Sequence, residues 1–455
     1  MGEMRSTTAH RMSGDYPSLT GISGSRPVEN PADEALVYCR HDLEERIQGL
    51  HGSSVSRRPG DARTPSTSHR QPAVDPGVHV AAASRLPRVL IEIYTGSHLV
   101  FFSLLGTLSR IGLRALTNFP GSPVAFGTLW ANFAGTAVLG FVAEFSGLRR
   151  RRLRRRAGEN SGVIGIVESN SRLSTHDVDG PAVGRPSPLY VGLTVGFCGS
   201  FTSFSGFMGD AFVALFDSAV SFAEGTGTPR LGTGRNIQVL LALTILTVCA
   251  CLSALKFGAH VAVLLGNLDL LQRHLPLRHV DRVMVVLALG SWSAVVLMTL
   301  LPPDRPGGPV GVASWDQETW RQVLFALVFA PLGCLLRFHL SIKLNAVSAV
   351  FPWGTFAANV VGTAVLGMVW DLQHAPLVSG VASKLSCQVL PGVVDGFCGC
   401  LTTVSTWVTE LNSLRRVHAY VYGAATIVLS FVVLLAIAGT MRWTVGWADS
   451  ACVKV

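Results

Sequence analysis

Hydrophobic residues in this chain come in long blocks rather than in alternation. Runs of roughly 20 apolar residues, the length an α-helix needs to cross the hydrocarbon core of a bilayer, recur nine times. They fall at about 97–117, 125–146, 189–218, 236–257, 281–301, 321–342, 352–370, 387–411 and 418–440. The pattern predicts an all-α polytopic membrane protein with about nine transmembrane helices. The third and eighth runs are the least continuous, because glycine, serine and threonine interrupt them. Residues 1–96 are rich in Ser, Pro, Arg and His, lack apolar periodicity and read as a disordered cytosolic tail. No apolar stretch near Met1 has the form of a signal peptide.

The blocks repeat. Gly106, Arg110, Gly127, Thr128, Asn132, Gly135 and Gly140 recur as Gly333, Arg337, Gly354, Thr355, Asn359, Gly362 and Gly367, each 227 positions later. The motif GFCGSFTSFSGF, from Gly196 to Phe207, recurs as GFCGCLTTVSTW, from Gly396 to Trp407, at an offset of 200. The difference of 27 is a loop: the linker 147–187 of the first copy is long, and its counterpart near 371–386 is short. One four-span unit is therefore present twice. The expected organisation is the tail 1–96, a first unit 97–258 carrying the linker 147–187, a loop and lone linker helix 259–319, a second unit 320–440 and a C-terminal tail 441–455.

Charge sets the direction of the spans. Arg149 to Arg152 and Arg154 to Arg156 follow span 2, and the loop from Lys256 to Arg282 is basic, which places both loops on the cytoplasmic side. Span 1 then runs outward, and the odd fifth span turns the second unit upside down. The loop 302–319, with Asp304, Asp316 and Glu318 against Arg305, suits the outside. The fold expected is two antiparallel four-helix units joined by a single linker helix, with the N-terminus cytosolic and the C-terminus extracellular. Inverted repeats of this kind build one transport path at their interface, or two antiparallel ones.

Composition narrows the class further. Hydrophobic residues make up 49% of the chain and charged residues 14%, and the mean hydropathy is +0.41. Those values exclude an ordinary soluble enzyme and argue against a nucleic-acid partner. Cys198, Cys249, Cys251, Cys334, Cys398 and Cys400 fall in apolar segments and read as buried thiols rather than metal ligands. There is no GxxxxGK, HExxH or GxSxG motif with a plausible His.

Polar residues in a span face neighbouring helices or water. Asn132 and Asn359 each offer two N–H donors without charge, suited either to weak anion binding or to bridging two helices. Gly196 and Gly199 precede the hydroxyls of Thr202, Ser203 and Ser205, which predicts a break in the helix or else a small-residue packing seam. Phe204 and Phe207 lie on one helix face, with Val404 and Trp407 as counterparts. A ring edge carries partial positive charge and can face an anion without trapping it, or the rings simply pack. Arg110 and Arg337 attract anions to a vestibule, or snorkel to the interface and pair with carbonyls. Asp210, Asp217, Asp395 and Glu410 lie on the third or eighth span or near its ends; only Asp395 is close to the motif, its counterpart is Val195, and no duplicated carboxylate is expected to serve as a symmetrical proton carrier.

GTLWANFAGTAVLG with GFCGSFTSFSGF, and GTFAANVVGTAVLG with GFCGCLTTVSTW, resemble the two signature motifs of the fluoride channel family in its eukaryotic fused form, the fluoride exporters. The resemblance covers about residues 97–440. It implies a passive fluoride path on either side of a structural sodium ion held by backbone carbonyls of Gly199, Thr202, Gly399 and Thr402. Asn132 and Asn359 would be the pore amides. Phe204 and Phe207 match the ring positions that contact fluoride, Ser205 and Ser405 match the hydroxyl between them, and Val404, Trp407 and Thr403 complete the second copy's set. Each path in the family takes one ring from each unit, here Phe204 with Trp407 or Val404 with Phe207, so one fully functional path is expected. The resemblance also implies fluoride resistance, a plasma-membrane location in direct contact with the lipid bilayer, and a functional monomer. The rival reading is a proton-coupled small-anion transporter using Asp395.

Overall fold

The computed structural model describes residues 88–118, 127–164, 187–217, 233–266, 277–301, 317–374 and 384–444. These residues form helices and no strand. Nine helices among the described residues are long and apolar enough to cross a membrane. Most of the tail 1–96, the remainder of the linker 147–187, residues 302–316 and most of the C-terminal tail 441–455 lie outside the described residues.

Two boundaries differ from expectation. Helix α1 spans Arg88–Thr117, so it begins before residue 97 and takes in the end of the expected tail. Helix α2 spans Leu129–Ile164 and carries the arginine run onward as helix. Leu and Arg are strong helix formers, so nothing stops the helix where its apolar stretch ends.

The third span is broken. Helix α3 starts at Pro188–Val191, widens into a π-helical stretch over Gly192–Cys198 and ends with a short turn at Gly199–Phe201. Helix α4 follows at Phe204–Asp217. Helices α5 (Thr233–Leu265), the linker α6 (Leu277–Leu300), α7 (Gln317–Leu344) and α8 (Trp353–His374) come next. The second broken span is α9, which begins at Lys384–Gly392 and continues through a π-helical Val393–Cys398 and a turn at Gly399–Leu401. Helix α10 covers Val404–Ser413, and α11 begins at Arg416–Leu434.

Both breaks fall three residues after the glycine named in the sequence, not at it. Gly199 keeps a right-handed helical φ of −67°, and the chain turns extended at Thr202, with φ −90° and ψ 149°. Thr402 matches it at −92° and 152°. Thr202 and Thr402 donate to the carbonyls of Cys198 and Cys398 at 3.1 and 2.9 Å, closing the last helical turn before each break.

Small residues bring the helices close. A Cβ at Gly140 would collide with the carbonyl of Leu255, and one at Gly258 with that of Ala137, so α2 and α5 pack backbone to backbone. Helix α4 packs on α8 and α11 of the second copy, and α10 on α2 and α5 of the first, so the copies interlock. The linker α6 lies along α1 and α7. Trp292 Nε1 donates to the Val328 carbonyl at 3.2 Å, and Asp281 Oδ1 stands 3.5 Å from buried His98 Nε2. A span expected to be a bare connector is thus fastened to both copies.

Candidate functional site

A backbone break inside a membrane exposes N–H and C=O groups that lipid cannot satisfy. Two asparagines satisfy them. Asn132 Oδ1 accepts from the Ser203 N–H at 2.8 Å while its Nδ2 donates to the Ser203 carbonyl at 3.3 Å. Asn359 makes the same clasp on Thr403, at 2.9 and 3.3 Å. Both amides are fully buried. Each clasp uses one of the two Nδ2 hydrogens. The other stays on the side chain, so the bridging and anion-binding readings are compatible.

Next, each copy caps the other. Thr402 Oγ1 accepts from the N–H groups of Phe204 and Ser205 at 3.1 and 2.9 Å, at the start of α4. Thr202 Oγ1 accepts from Ser405 N–H at 3.2 Å, at the start of α10. Around these contacts run two hydroxyl triads. Thr402, Ser203 and Ser205 lie 3.0–3.4 Å apart, and Thr202, Thr403 and Ser405 lie 3.0–3.3 Å apart. Ser203 also accepts from Gly206 N–H at 3.1 Å. The positive ends of α4 and α10 therefore meet at the centre of the molecule, lined with hydroxyls.

The two arginines are neither snorkelling nor free. Arg110, 1% exposed, donates to the carbonyls of Ser200, Gly399 and Asp395. Arg337 mirrors it, donating to the carbonyls of Cys400 and Val195, both at 2.8 Å. A Cβ at Gly199 would run into the Arg337 guanidinium, and one at Gly399 into that of Arg110, so those glycines make room for cations from the other copy.

The aromatic positions form one cluster. Phe204 meets Trp407 edge to face, with centroids 5.4 Å apart at 70°, and meets Phe207 at 5.7 Å and 89°. Phe204, Phe207, Val404 and Trp407 are all fully buried. Trp407 Nε1 is a buried donor with no hydrogen-bond partner among the described residues. Such a group calls for an explanation, since an unmet buried donor is costly.

Asp210 and Glu410 stood out in the sequence on the broken spans, but their pairing by the repeat was missed, as were Tyr422 and Asn345. The expectation that no carboxylate is duplicated fails: the offset of 200 that carries the second motif also carries Asp210 onto Glu410. Asp210 accepts from the N–H and hydroxyl of Thr128 at 3.0 and 2.6 Å. Glu410 accepts from Thr355 and Tyr422 hydroxyls, both at 2.6 Å, and from Asn345 at 3.4 Å. Thr128 and Thr355 already belonged to the repeat, and extending the second motif by three residues would have exposed the carboxylates. Tyr422 and Asn345 carry no signal of their own in the sequence.

A cavity of about 140 Å³ opens beside Asp210. It is lined by Arg110, Arg114, Thr128, Asp210, Asp395 and Trp370 among others, and it reaches Ser203 and Ser205. Arg114 Nη1 and Asp395 Oδ1 are paired across it at 2.6 Å. Asp395 therefore sits in an ion pair at the cavity wall rather than alone.

The family model described as "CrcB-like protein, Camphor Resistance (CrcB)" matches residues 98–259 and 324–440. The chain belongs to the CrcB family. Its two matched segments are the two copies of the repeat, so the CrcB unit occurs twice. "Fluoride export protein 1" of Neurospora crassa is 41% identical over 97% of this chain and 84% of its own length. "Fluoride export protein 1" of Candida albicans is 32% identical over 77% of this chain and 80% of its own. The "Fluoride-specific ion channel FluC" of Chromobacterium violaceum is 32% identical over 27% of this chain and 95% of its own length, about one CrcB unit. No solved structure matches the chain. With CrcB membership and nine apolar helices among the described residues, the chain is a multi-pass membrane protein.

Proposed function

We propose that this CrcB protein is a fluoride-selective passive channel that expels cytosolic fluoride and confers resistance to it. The observation that carries the reading is the pair of clasped breaks: two helix N-termini, two hydroxyl triads and two buried amides converge where the copies interlock. These are neutral donors and partial charges, which suit an anion that must bind and leave again. The relatives are named as export proteins and ion channels, not enzymes.

Fluoride is trapped in the cytosol as an anion after entering as HF. An inside-negative potential drives an anion outward with about 2.3 kcal/mol per 100 mV, so a selective pore suffices. The small, strongly hydrated ion needs close donors to replace water, and the buried Trp407 Nε1 beside Phe204 provides one. The matched contacts of the two copies support the antiparallel arrangement, and the basic loops support a cytosolic N-terminus, an extracellular C-terminus and a vestibule that opens outward. The plasma membrane and a functional monomer complete the reading, since the two copies already supply both halves of the site.

A structural sodium ion fits the carbonyls of Gly199, Thr202, Gly399 and Thr402 by donor type, because all are buried neutral oxygens beside the crossed breaks. The Gly399 oxygen would be shared with Arg110. When bound, the ion supplies fixed positive charge between the copies.

The test is fluoride loss from liposomes holding the purified protein under a potassium-diffusion potential, read with a fluoride electrode and compared with chloride. Voltage-driven fluoride loss without chloride loss is expected. The duplicated carboxylates Asp210 and Glu410 favour a second reading, proton-coupled anion transport. Flux that appears only with an imposed pH gradient and disappears in Glu410→Gln would select it.

A further inference from the structure

The Arg114–Asp395 pair breaks the duplication. The position 227 after Arg114 is Ser341, and the position 200 before Asp395 is Val195. The pair joins α1 of the first copy to the π-helical stretch of the second at 2.6 Å, and its side chains are 37% and 28% exposed. Asp395 also takes a hydrogen bond on its backbone carbonyl from Arg110, so one residue engages two guanidiniums. Arg110 is 1% exposed and committed to carbonyls, whereas Arg114 keeps part of its side chain open to the vestibule. Asp210 lines the same cavity.

Resting on the fluoride-channel reading, we propose that Asp395 is a built-in competitor for Arg114, and that the pair sets how tightly the vestibule holds a passing anion. A lone guanidinium in a partly desolvated cavity attracts a small anion strongly. A conducting site must also let go. The carboxylate at Arg114 answers both needs. Fluoride takes up Arg114 by displacing Asp395, and Asp395 returns as fluoride leaves, so the guanidinium is paired throughout while the displaced carboxylate, 28% exposed, falls back on solvent.

The experiment is fluoride conductance in planar bilayers as a function of symmetric fluoride concentration. Asp395→Asn should half-saturate at about fivefold lower fluoride, with a lower maximum, and Arg114→Gln at about fivefold higher fluoride. Fivefold is ~1 kcal/mol at tenfold per 1.4 kcal/mol. Both substitutions break the same ion pair, so a pair that merely pins α1 in place would move both variants the same way. Shifts in one direction, or no shift in either, overturn the proposal. Arg114→Lys, which keeps the charge, should fall between wild type and Arg114→Gln, and Asp395→Glu between wild type and Asp395→Asn. These two conservative variants carry the same contrast if a neutral variant does not fold. A wild-type protein without fluoride-selective current would sink the channel reading itself, which is a different result from a wild type that conducts and variants that shift together.

Discussion

The single atom that best separates packing from function is Trp407 Nε1. Phenylalanine at that position would keep a ring against Phe204, whose centroid lies at 5.4 Å, and would remove the orphan N–H together with part of a fully buried indole, leaving a small cavity. Deleting an unpaired buried donor relieves a desolvation cost of about 1–3 kcal/mol. The lost packing opposes that relief, so Trp407→Phe should shift the thermal midpoint in detergent little while cutting fluoride conductance about tenfold, the scale of one hydrogen bond to a charged group. Loss of stability with unchanged conductance would show that the ring packs and the N–H does nothing. The asparagines teach a related lesson. Their repetition marked Asn132 and Asn359 in the sequence, but an amide looks the same whether it bridges helices, binds an anion or closes a broken backbone. The partner, Ser203 or Thr403, is 71 or 44 residues away, and only folding brings it within reach.

Among the elements, the close pairing of α2 with α5 and the open face of the linker α6 at Gly290 make opposite predictions for the same change. Gly140 faces the Leu255 carbonyl, whereas Gly290 on α6 has nothing within 4 Å of where a Cβ would sit. Gly140→Ala should cost about 1–3 kcal/mol through overpacking. Gly290→Ala should be neutral or stabilising by up to about 1 kcal/mol from helix propensity. Thermal unfolding of the two variants in one detergent checks both, and equal destabilisation would refute the close approach. The broken spans were legible as breaks because glycines and hydroxyls interrupt an apolar run. Their position was not, because Gly199 and Gly399 serve to admit guanidiniums from the other copy while Thr202 and Thr402 make the turn. The helical arginine run after span 2 was misjudged for another reason: charge was taken as a sign of loop where helix propensity persists.

Taken whole, the molecule is two copies of one plan that have diverged at chosen points. The vestibule beside Asp210 has Arg114 and Asp395, whereas the matching carboxylate, Glu410, is 1% exposed under Tyr422, which is fully buried. The aromatic set is uneven too, since Phe204 touches both Phe207 and Trp407 while Val404 has no ring. On the channel reading proposed above, that unevenness predicts one conducting path. Phe204→Ile should abolish fluoride current, and Phe207→Ile should leave a measurable fraction; equal loss from the two would mean two working paths. The charge asymmetry of the vestibule belongs to this scale as well, because Arg114 and Asp395 come from different copies and no single unit contains the pair.

Apolar block length, the two fixed offsets and the basic loops determined, without any structure, that this is a helical membrane protein built from a duplicated four-span unit. Each of those signals is local or periodic, and bilayer thickness and loop charge act on them directly. The chain also displayed the polar residues of the site, because such groups are costly in lipid and stand out against an apolar background. Tertiary structure alone decided what they do to one another. The asparagines clasp breaks, the threonines cap helices of the opposite copy, and Arg110 and Arg337 fill space left by glycines across the interface. These partners are tens to hundreds of residues apart, and a hydrogen bond at that separation leaves no periodic trace in sequence. The carboxylates Asp210 and Glu410 stand between the two cases: the repeat offset contained them, and the geometry around Thr128 and Thr355 gave them a role.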